Sequence, residues 1–345
     1  MKKYNVAIVG ATGMVGQSLV QVLQERNFPV GNLKLLASSR SVDMTVEVLG
    51  KPYRVEEAKP EAFAGIDVAF FSAGEAISYQ LAPEAVRHGA VVVDNSNAFR
   101  MDEGIPLVVP EVNPDALDGH QGIIANPNCS TIQLVVALQP LQQAAGLRRV
   151  VVASYQSVSG AGKEAVDELA AQSRAILDGR DDFPRERIPH AGAKVQHQIA
   201  FNMVPQIDVF ADDGYSKEEM KIIRESRKIM GLPDLRITAT TVRVPVFNGH
   251  SEAVNIELEK PLSADEAREL LRRSPGIIVV DDPAQLSYPM PAGTAGRDEV
   301  FVGRIRPDSS VPNGLNMWVV ADNIRKGAAT NSIQIAEALI ARGLL

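Results

Sequence analysis

Apolar residues along this chain follow two rhythms. Short β-branched runs bounded by glycine, asparagine or serine read as buried strands, and apolar residues spaced three or four apart read as helices. Asn5–Val9 is the first strand-like run. It enters Gly10-Ala11-Thr12-Gly13-Met14-Val15-Gly16, after which Val15, Leu19, Val22 and Leu23 fall at helical spacing. Further strands are predicted over Leu33–Ala37, Asp67–Ser72 and Val91–Asp94, with a helix over Ala76–His88. Strand–helix alternation of this kind implies a Rossmann-type, doubly wound parallel sheet.

The pattern changes after Ile123-Ile124. The run breaks at Asn126-Pro127, and Ile132, Leu134, Val135, Leu138 and Leu141 predict a helix from near Ser130. A long strand is expected over Arg149–Val158 and a helix over Lys163–Leu177. Asp178–Pro205 has no period and carries proline, glycine and charge, which suits a functional or interface loop. Lys217–Met230 is amphipathic. Strands are predicted over Thr238–Val244, Ser251–Leu258, Ile277–Val280, Val300–Ile305 and Leu315–Val320, and a last amphipathic helix over Asn331–Ala341. The fold expected is α/β: the Rossmann-type sheet plus a second, α+β domain.

Candidate chemistry sits at the junctions. Cys129, the only cysteine, lies where a strand becomes a helix N-terminus. Unpaired N–H groups and the helix dipole favour a thiolate there and lower a cysteine pKa from about 8.5 to roughly 3.5–7.5. The glycine turn after the first strand suits a pyrophosphate, although its spacing is G-x-x-G-x-x-G. The second strand ends in Ser38-Ser39-Arg40-Ser41, with no acidic residue to hold a ribose 2′-hydroxyl; hydroxyls and an arginine suit a 2′-phosphate, so NADP is expected rather than NAD. Ser72-Ala73-Gly74 and Asp94-Asn95-Ser96 stand at strand C-terminal ends, where ligands bind in such folds. Gly160 and Gly162 would let backbone approach a flat ring such as nicotinamide. Arg243, between Val242 and Val244, is a costly place for a charge unless it is paired or meets an anion. His250 follows a glycine turn and is either a satisfied structural histidine or an acid/base.

The 345 residues carry a net charge of −7 and no basic run, which argues against a nucleic-acid partner. A single cysteine rules out an internal disulfide and suits a reducing compartment. Lys2-Lys3 before Val6–Val9 imitates a signal peptide, but the apolar run is short and breaks at Gly10, so a cytoplasmic protein without a membrane span is expected. His190 and His197 have no metal-ligand spacing with each other or with Cys129, and no metal is expected. A dinucleotide loop, one activated thiol and an acid/base together suggest hydride chemistry at a carbonyl through a thioester.

These motifs resemble those of bacterial aspartate-β-semialdehyde dehydrogenases. The resemblance runs almost end to end. It rests on Gly10–Gly16, Asp94–Arg100, Pro127-Asn128-Cys129-Ser130-Thr131, Tyr155–Gly162, Glu218-Glu219-Met220-Lys221, and Arg243 with Gly249-His250. It implies an NADP-binding domain over 1–128, a catalytic and dimerisation domain over 129–326, and a C-terminal helix, 327–345, that returns to the first. It implies Cys129 as acyl-accepting nucleophile, His250 as acid/base, and Gln156 orienting the substrate beside the thiol. Arg243 would clamp the substrate carboxylate, Glu218 (or the adjacent Glu219) would pair with its ammonium, and Arg100, Asn128 and Lys221 would hold phosphate. Gly10, Thr12, Gly13, Met14, Val15, Arg40, Ser41, Ser72, Ser159, Gly160 and Asn323 would contact NADP. A homodimer and a small-molecule substrate with inorganic phosphate are implied. An N-acetyl-γ-glutamyl-phosphate reductase and a non-catalytic NADP-binding paralogue are the alternatives.

Overall fold

The computed structural model describes residues 2–48 and 50–345. It forms two compact units, Met1–Asn128 with Gly327–Leu345, and Cys129–Lys326.

The first unit is built on β1 (Tyr4–Val9), α1 (Met14–Glu25), β2 (Val30–Ala37), β3 (Thr45–Val48), β4 (Lys51–Glu57), β5 (Val68–Phe71), α2 (Glu75–Arg87), β6 (Val91–Asp94) and β7 (Ile123–Ala125). Its sheet runs in the order β3-β4-β2-β1-β5-β6-β7, parallel except for β3 against β4. The order reverses at β1, which has β2 on one side and β5 on the other, so the strand ends around Gly10 form the ligand crevice typical of such sheets. Successive residues of the central strands serve opposite faces. Ile8, Leu35 and Phe70 pack with Leu19 and Leu23 of α1 and with Ile333, Ala336 and Leu339 of the terminal helix, Thr330–Ala341. Val9, Leu36 and Phe71 pack with Phe63, Leu81 and Ala85. Burial on both faces explains why these strands read as unbroken apolar runs. Asn331 of the terminal helix donates to Asn126 Oδ1 at 2.7 Å, and Arg26 pairs with Glu337 at 2.6 Å.

The β3–β4 hairpin and the helices Ala264–Arg272 and Pro291–Thr294 lie outside the sequence expectations for regular structure. The β3–β4 hairpin is an edge element whose second strand is mostly charged and exposed, with Val55 its one buried residue, so no long apolar run marks it. Helix Ala264–Arg272 does carry a signal: Ser263 and Glu266 form a reciprocal capping box at its start. The second strand also begins earlier than predicted, at Val30, because Tyr4 and Val30 pair across β1 and β2.

The second unit carries α3 (Cys129–Ala145), β8 (Leu147–Gln156), α4 (Lys163–Leu177), α5 (Lys217–Met230), β9 (Arg236–Arg243), β10 (His250–Leu258), α6 (Ala264–Arg272), β11 (Ile277–Val279), β12 (Val300–Asp308) and β13 (Gly314–Ala321). Its mixed sheet has the order β11-β12-β13-β10-β8-β9. Helix α3 is apolar nearly all round and lies on β8, β10, β12 and β13, with α5 and α6 beside it. Even-numbered residues of β8 from Val150 onward, and those of β10, are buried towards the helices; Tyr155, Ala253 and Asn255, on the other face, are half-buried.

One buried group has a consequence for stability. Glu252 of β10 is fully buried and neither carboxyl oxygen makes a hydrogen bond. Burial pushes its pKa well above the ordinary 4.5, and the nearby Gln133 amide opposes that. The native state therefore holds a proton that the unfolded chain loses above about pH 4.5, and stability falls with rising pH by up to about 1.4 kcal/mol per unit until the native pKa is passed. Glu252→Gln removes this slope. Urea unfolding should find the variant more stable than the parent at pH 8, with the gap closing towards pH 5.

Candidate active site

The sheet of the second unit delivers three polar side chains to one edge. Parallel pairing sets Gln156, the last residue of β8, opposite Arg243, the last of β9. Antiparallel β10 begins at the same edge with His250. All three are buried. Helix α5 adds Glu218 from its first turn: Gln156 Nε2 donates to Glu218 Oε1 at 3.0 Å, while Lys221 Nζ lies 3.2 Å from Glu218 Oε2 and 3.3 Å from Asp208 Oδ2. Ser154 Oγ donates to Gln156 Oε1 at 3.0 Å and so fixes which way that amide points. Cys129 is the first residue of α3 and is partly exposed. It lies near enough to Arg243 to favour the guanidinium charge.

Arg243 is 3% exposed, donates from Nη1 to the Ser157 carbonyl at 2.7 Å, and leaves Nε without a partner. Burial lowers its pKa, and Glu218 and Cys129 oppose that. A buried guanidinium with an idle donor is an anion site in waiting. Burial, followed by the Arg243 charge, drives the His250 pKa down to about 3, with Glu218 acting in the opposite sense. The ring is therefore neutral at physiological pH.

The two adjacent glutamates part company here. Glu219 accepts from the Ser216 and Thr241 backbone N–H groups at 2.7 and 3.0 Å, which makes it the capping residue of α5. Glu218 faces Gln156 and Lys221. Glu219→Ala should leave two buried N–H groups unpaired, at about 1–3 kcal/mol each, and lower the urea midpoint. Glu218→Ala should instead raise KM for an amino-bearing substrate with the midpoint little changed.

Ser159, Gly160 and Asn323 also belong to this unit. Asn323 Oδ1 accepts from Gly249 N, Ser157 Oγ and Ser159 Oγ at 2.9, 3.0 and 3.2 Å. A Cβ added at Gly160 would sit 3.1 Å from Arg243 Nη1 and 3.3 Å from His250 Nε2. The missing side chain thus keeps space open in front of both groups. Gly160→Ala is expected to keep the fold, since no positive φ is needed there, and to lower kcat/KM by about 10-fold or more by displacing His250 and Arg243. Ser157, absent from the sequence-predicted set, emerges as a site residue through its contacts with Arg243, His250 and Asn323. No local signal marks it, because its partners lie far along the chain.

In the first unit, Gly10 has φ +89°, and a Cβ there would come within 2.9 Å of the Ser72 backbone. Ser72 Oγ in turn donates to Val9 O at 3.1 Å. Gly13 opens α1 without a side-chain cap, and Thr12, Met14 and Val15 are half-buried around it. The bare helix N-terminus beside a close-packed glycine turn fits a pyrophosphate. Arg40 is exposed and Ser41 half-buried in the turn after β2. Arg100 is buried and donates to the carbonyls of Asn126 and Asn95, both at 2.9 Å; Asn128 is buried at the end of the same segment. Among the described residues no cluster of histidine, cysteine, aspartate or glutamate could hold a metal, and no helix is long and apolar enough to cross a membrane.

Comparison with known proteins agrees in both units. Residues 5–120 match the family described as "Semialdehyde dehydrogenase, NAD binding domain", and residues 138–326 match "Semialdehyde dehydrogenase, dimerisation domain". The aspartate-semialdehyde dehydrogenase of Bacillus subtilis is 54% identical, with 97% of each chain covered. That of Aquifex aeolicus is also 54% identical, over 99% of each. The crystal structure of aspartate semialdehyde dehydrogenase II from Vibrio cholerae complexed with ASA superposes with a TM-score of 0.93 at 47% identity, covering 99% of both chains. The Candida albicans enzyme with NADP does so at 0.77 and 26% identity, covering 100% of both chains. The chain belongs to the semialdehyde dehydrogenase family, in its aspartate-semialdehyde dehydrogenase branch.

Proposed function

We propose that this protein is an NADP-dependent aspartate-semialdehyde dehydrogenase. It interconverts L-aspartate 4-semialdehyde plus phosphate and 4-phospho-L-aspartate, the branch step towards lysine, threonine, methionine and diaminopimelate. The observation that carries this reading is the meeting of Gln156, Arg243, His250 and Glu218 at one sheet edge, with the lone thiol near the guanidinium.

The Cys129 thiolate, favoured by the α3 N-terminus and by Arg243, attacks the aldehyde carbon. His250 Nε2 lies beside the space that Gly160 leaves open, where the substrate oxygen is held. Arg243 binds the α-carboxylate, Glu218 the ammonium, and Gln156 keeps the substrate beside the thiol. Bound NADP supplies the hydride chemistry that turns the thiohemiacetal into a thioester. Gly10, Thr12, Gly13, Met14, Val15 and Ser72 hold its pyrophosphate side, Arg40 and Ser41 its 2′-phosphate, and Ser159, Gly160 and Asn323 its nicotinamide side. Arg100, Asn128 and Lys221 bind the phosphate that releases the acyl group. The half-buried sheet face on which Tyr155 meets Trp318 at a tilt, ring centroids 5.5 Å apart, suits a second copy in a homodimer. A cytoplasmic setting keeps the sole thiol reduced.

The test is reduction of NADP⁺ with L-aspartate 4-semialdehyde, followed at 340 nm. Activity that disappears without phosphate, and is weaker with NAD⁺, supports the reading. Preference for N-acetyl-glutamate semialdehyde would give the N-acetyl-γ-glutamyl-phosphate reductase reading instead, and the Glu218 carboxylate favours a free ammonium over that acylated amine.

A further inference from the structure

We propose that Glu252 and Gln133 are a positioning pair: carboxyl and amide close on each other across the contact between β10 and α3, and so hold the Cys129 turn of the helix in register with the sheet. The effect on turnover rests on the function proposed above; the pair itself does not.

The two side chains stand equally far back from the site. Gln133 follows Cys129 by four residues on α3, on the same helix face and about 6 Å along the axis. Glu252 follows the first residue of β10 by two, on the same sheet face and about 6–7 Å along the strand. Helix α3 lies on β10. A link at this level therefore fixes how far the helix can slide or turn over the sheet, one step behind the thiol.

Both side chains are buried, and the Gln133 amide bears on the Glu252 carboxyl. None of their four polar atoms bonds to any other group. Ser154, opposite Glu252 on β8, gives its hydroxyl proton to Gln156 Oε1, and Val319, opposite on β13, is apolar. Burial and the Gln133 amide are what act on the carboxyl; no charged group among the described residues does. A neutral carboxyl presents one O–H and one C=O, and a primary amide presents one N–H and one C=O along the same edge, so the two match as a ring of two parallel hydrogen bonds. An ionised carboxylate has no donor to give and would strand Gln133 Oε1. The count of donors and acceptors thus calls for the same proton that burial favours. The neighbours Ile132, Leu134, Val254 and Ile256 are buried and apolar, so packing alone would be served by apolar residues here too.

Register matters because thiol and substrate are held by different elements. Gln156, Arg243 and Glu218 come from β8, β9 and α5, whereas Cys129 comes from α3. The first three set how tightly the substrate binds. The placement of α3 sets whether the sulfur reaches the bound carbon, and a displacement of about 1 Å can cost about 100-fold in rate. Breaking the pair should therefore act on kcat and spare KM.

The experiment measures kcat, KM, the urea midpoint and the pH midpoint for alkylation of Cys129, the sole cysteine, by iodoacetamide in the intact protein. Glu252→Met and Gln133→Met fill similar space without hydrogen bonds. Each should lower kcat about 10- to 100-fold with KM within about twofold and no fall in the urea midpoint. Each should also move the alkylation midpoint upward, as the thiol drifts from Arg243. The double variant should lose no more than either single one. Glu252→Gln supplies an amide that pairs with Gln133 in the same two-point way, and should keep kcat within about twofold. Parent-like kcat and alkylation in both Met variants overturn the proposal, as do additive losses in the double variant or an equal loss in Glu252→Gln. A urea midpoint that falls in step with kcat overturns it in favour of a folding role. A parent protein inactive on the semialdehyde, with the alkylation midpoint still moved by Met and not by Gln, would overturn the function and leave the pair standing.

Discussion

Replacing Cys129 by alanine is expected to lower phosphate-dependent turnover by about 10⁴-fold or more while leaving NADPH affinity unchanged. Nucleophile removal in enzymes that work through an acyl intermediate costs on this scale, because the remaining groups stabilise an oxyanion that no longer forms. The glycine turn Gly10–Gly16 is built in the other unit from β1, α1 and Ser72, and does not depend on the thiol. Stopped-flow kinetics and a fluorescence titration of NADPH separate the two quantities. Turnover within 10-fold of the parent would eliminate the thioester route.

Arg243→Lys is the second large effect expected. The native guanidinium spends Nη1 on the Ser157 carbonyl and keeps Nε idle in a site that is 3% exposed. A planar fork in that position holds a carboxylate with two parallel bonds, whereas lysine offers a single point charge on a flexible stem. One lost charge-assisted hydrogen bond is worth about 1.5–3 kcal/mol, so kcat/KM for the semialdehyde should fall roughly 10- to 100-fold, mainly through KM. An unchanged KM would mean that Arg243 does not hold the carboxylate.

What could be read from the chain follows from how local each signal is. Strands β1, β5 and β6 are buried on both faces and declare themselves as apolar runs; α5 declares itself by its amphipathic stripe. The hairpin β3–β4 lies on the sheet edge with one well-buried residue at Val48 and another at Val55, too few to set a period. Cys129, Arg243 and His250 drew attention because a thiol at a strand–helix junction, or a charge amid valines, is costly without a use. Ser157 did not, since an ordinary serine becomes significant only through partners 86 to 166 positions away. Glu218 and Glu219 were inseparable by sequence, because adjacent residues in a helix diverge only when the helix is placed against β9.

The return of the terminal helix to the first unit has a consequence for the ribosome. Residues up to Asn128 emerge well before Ile333, Ala336 and Leu339, which cover one face of their sheet. The roughly 200 residues between them take on the order of 10–40 s at about 5–20 residues per second. The inserted unit is continuous in the chain and can close during that interval, while its host waits with an apolar face uncovered. Birth order and folding order are therefore inverted, and it is the nascent first unit that calls for chaperone cover until the returning helix has been made.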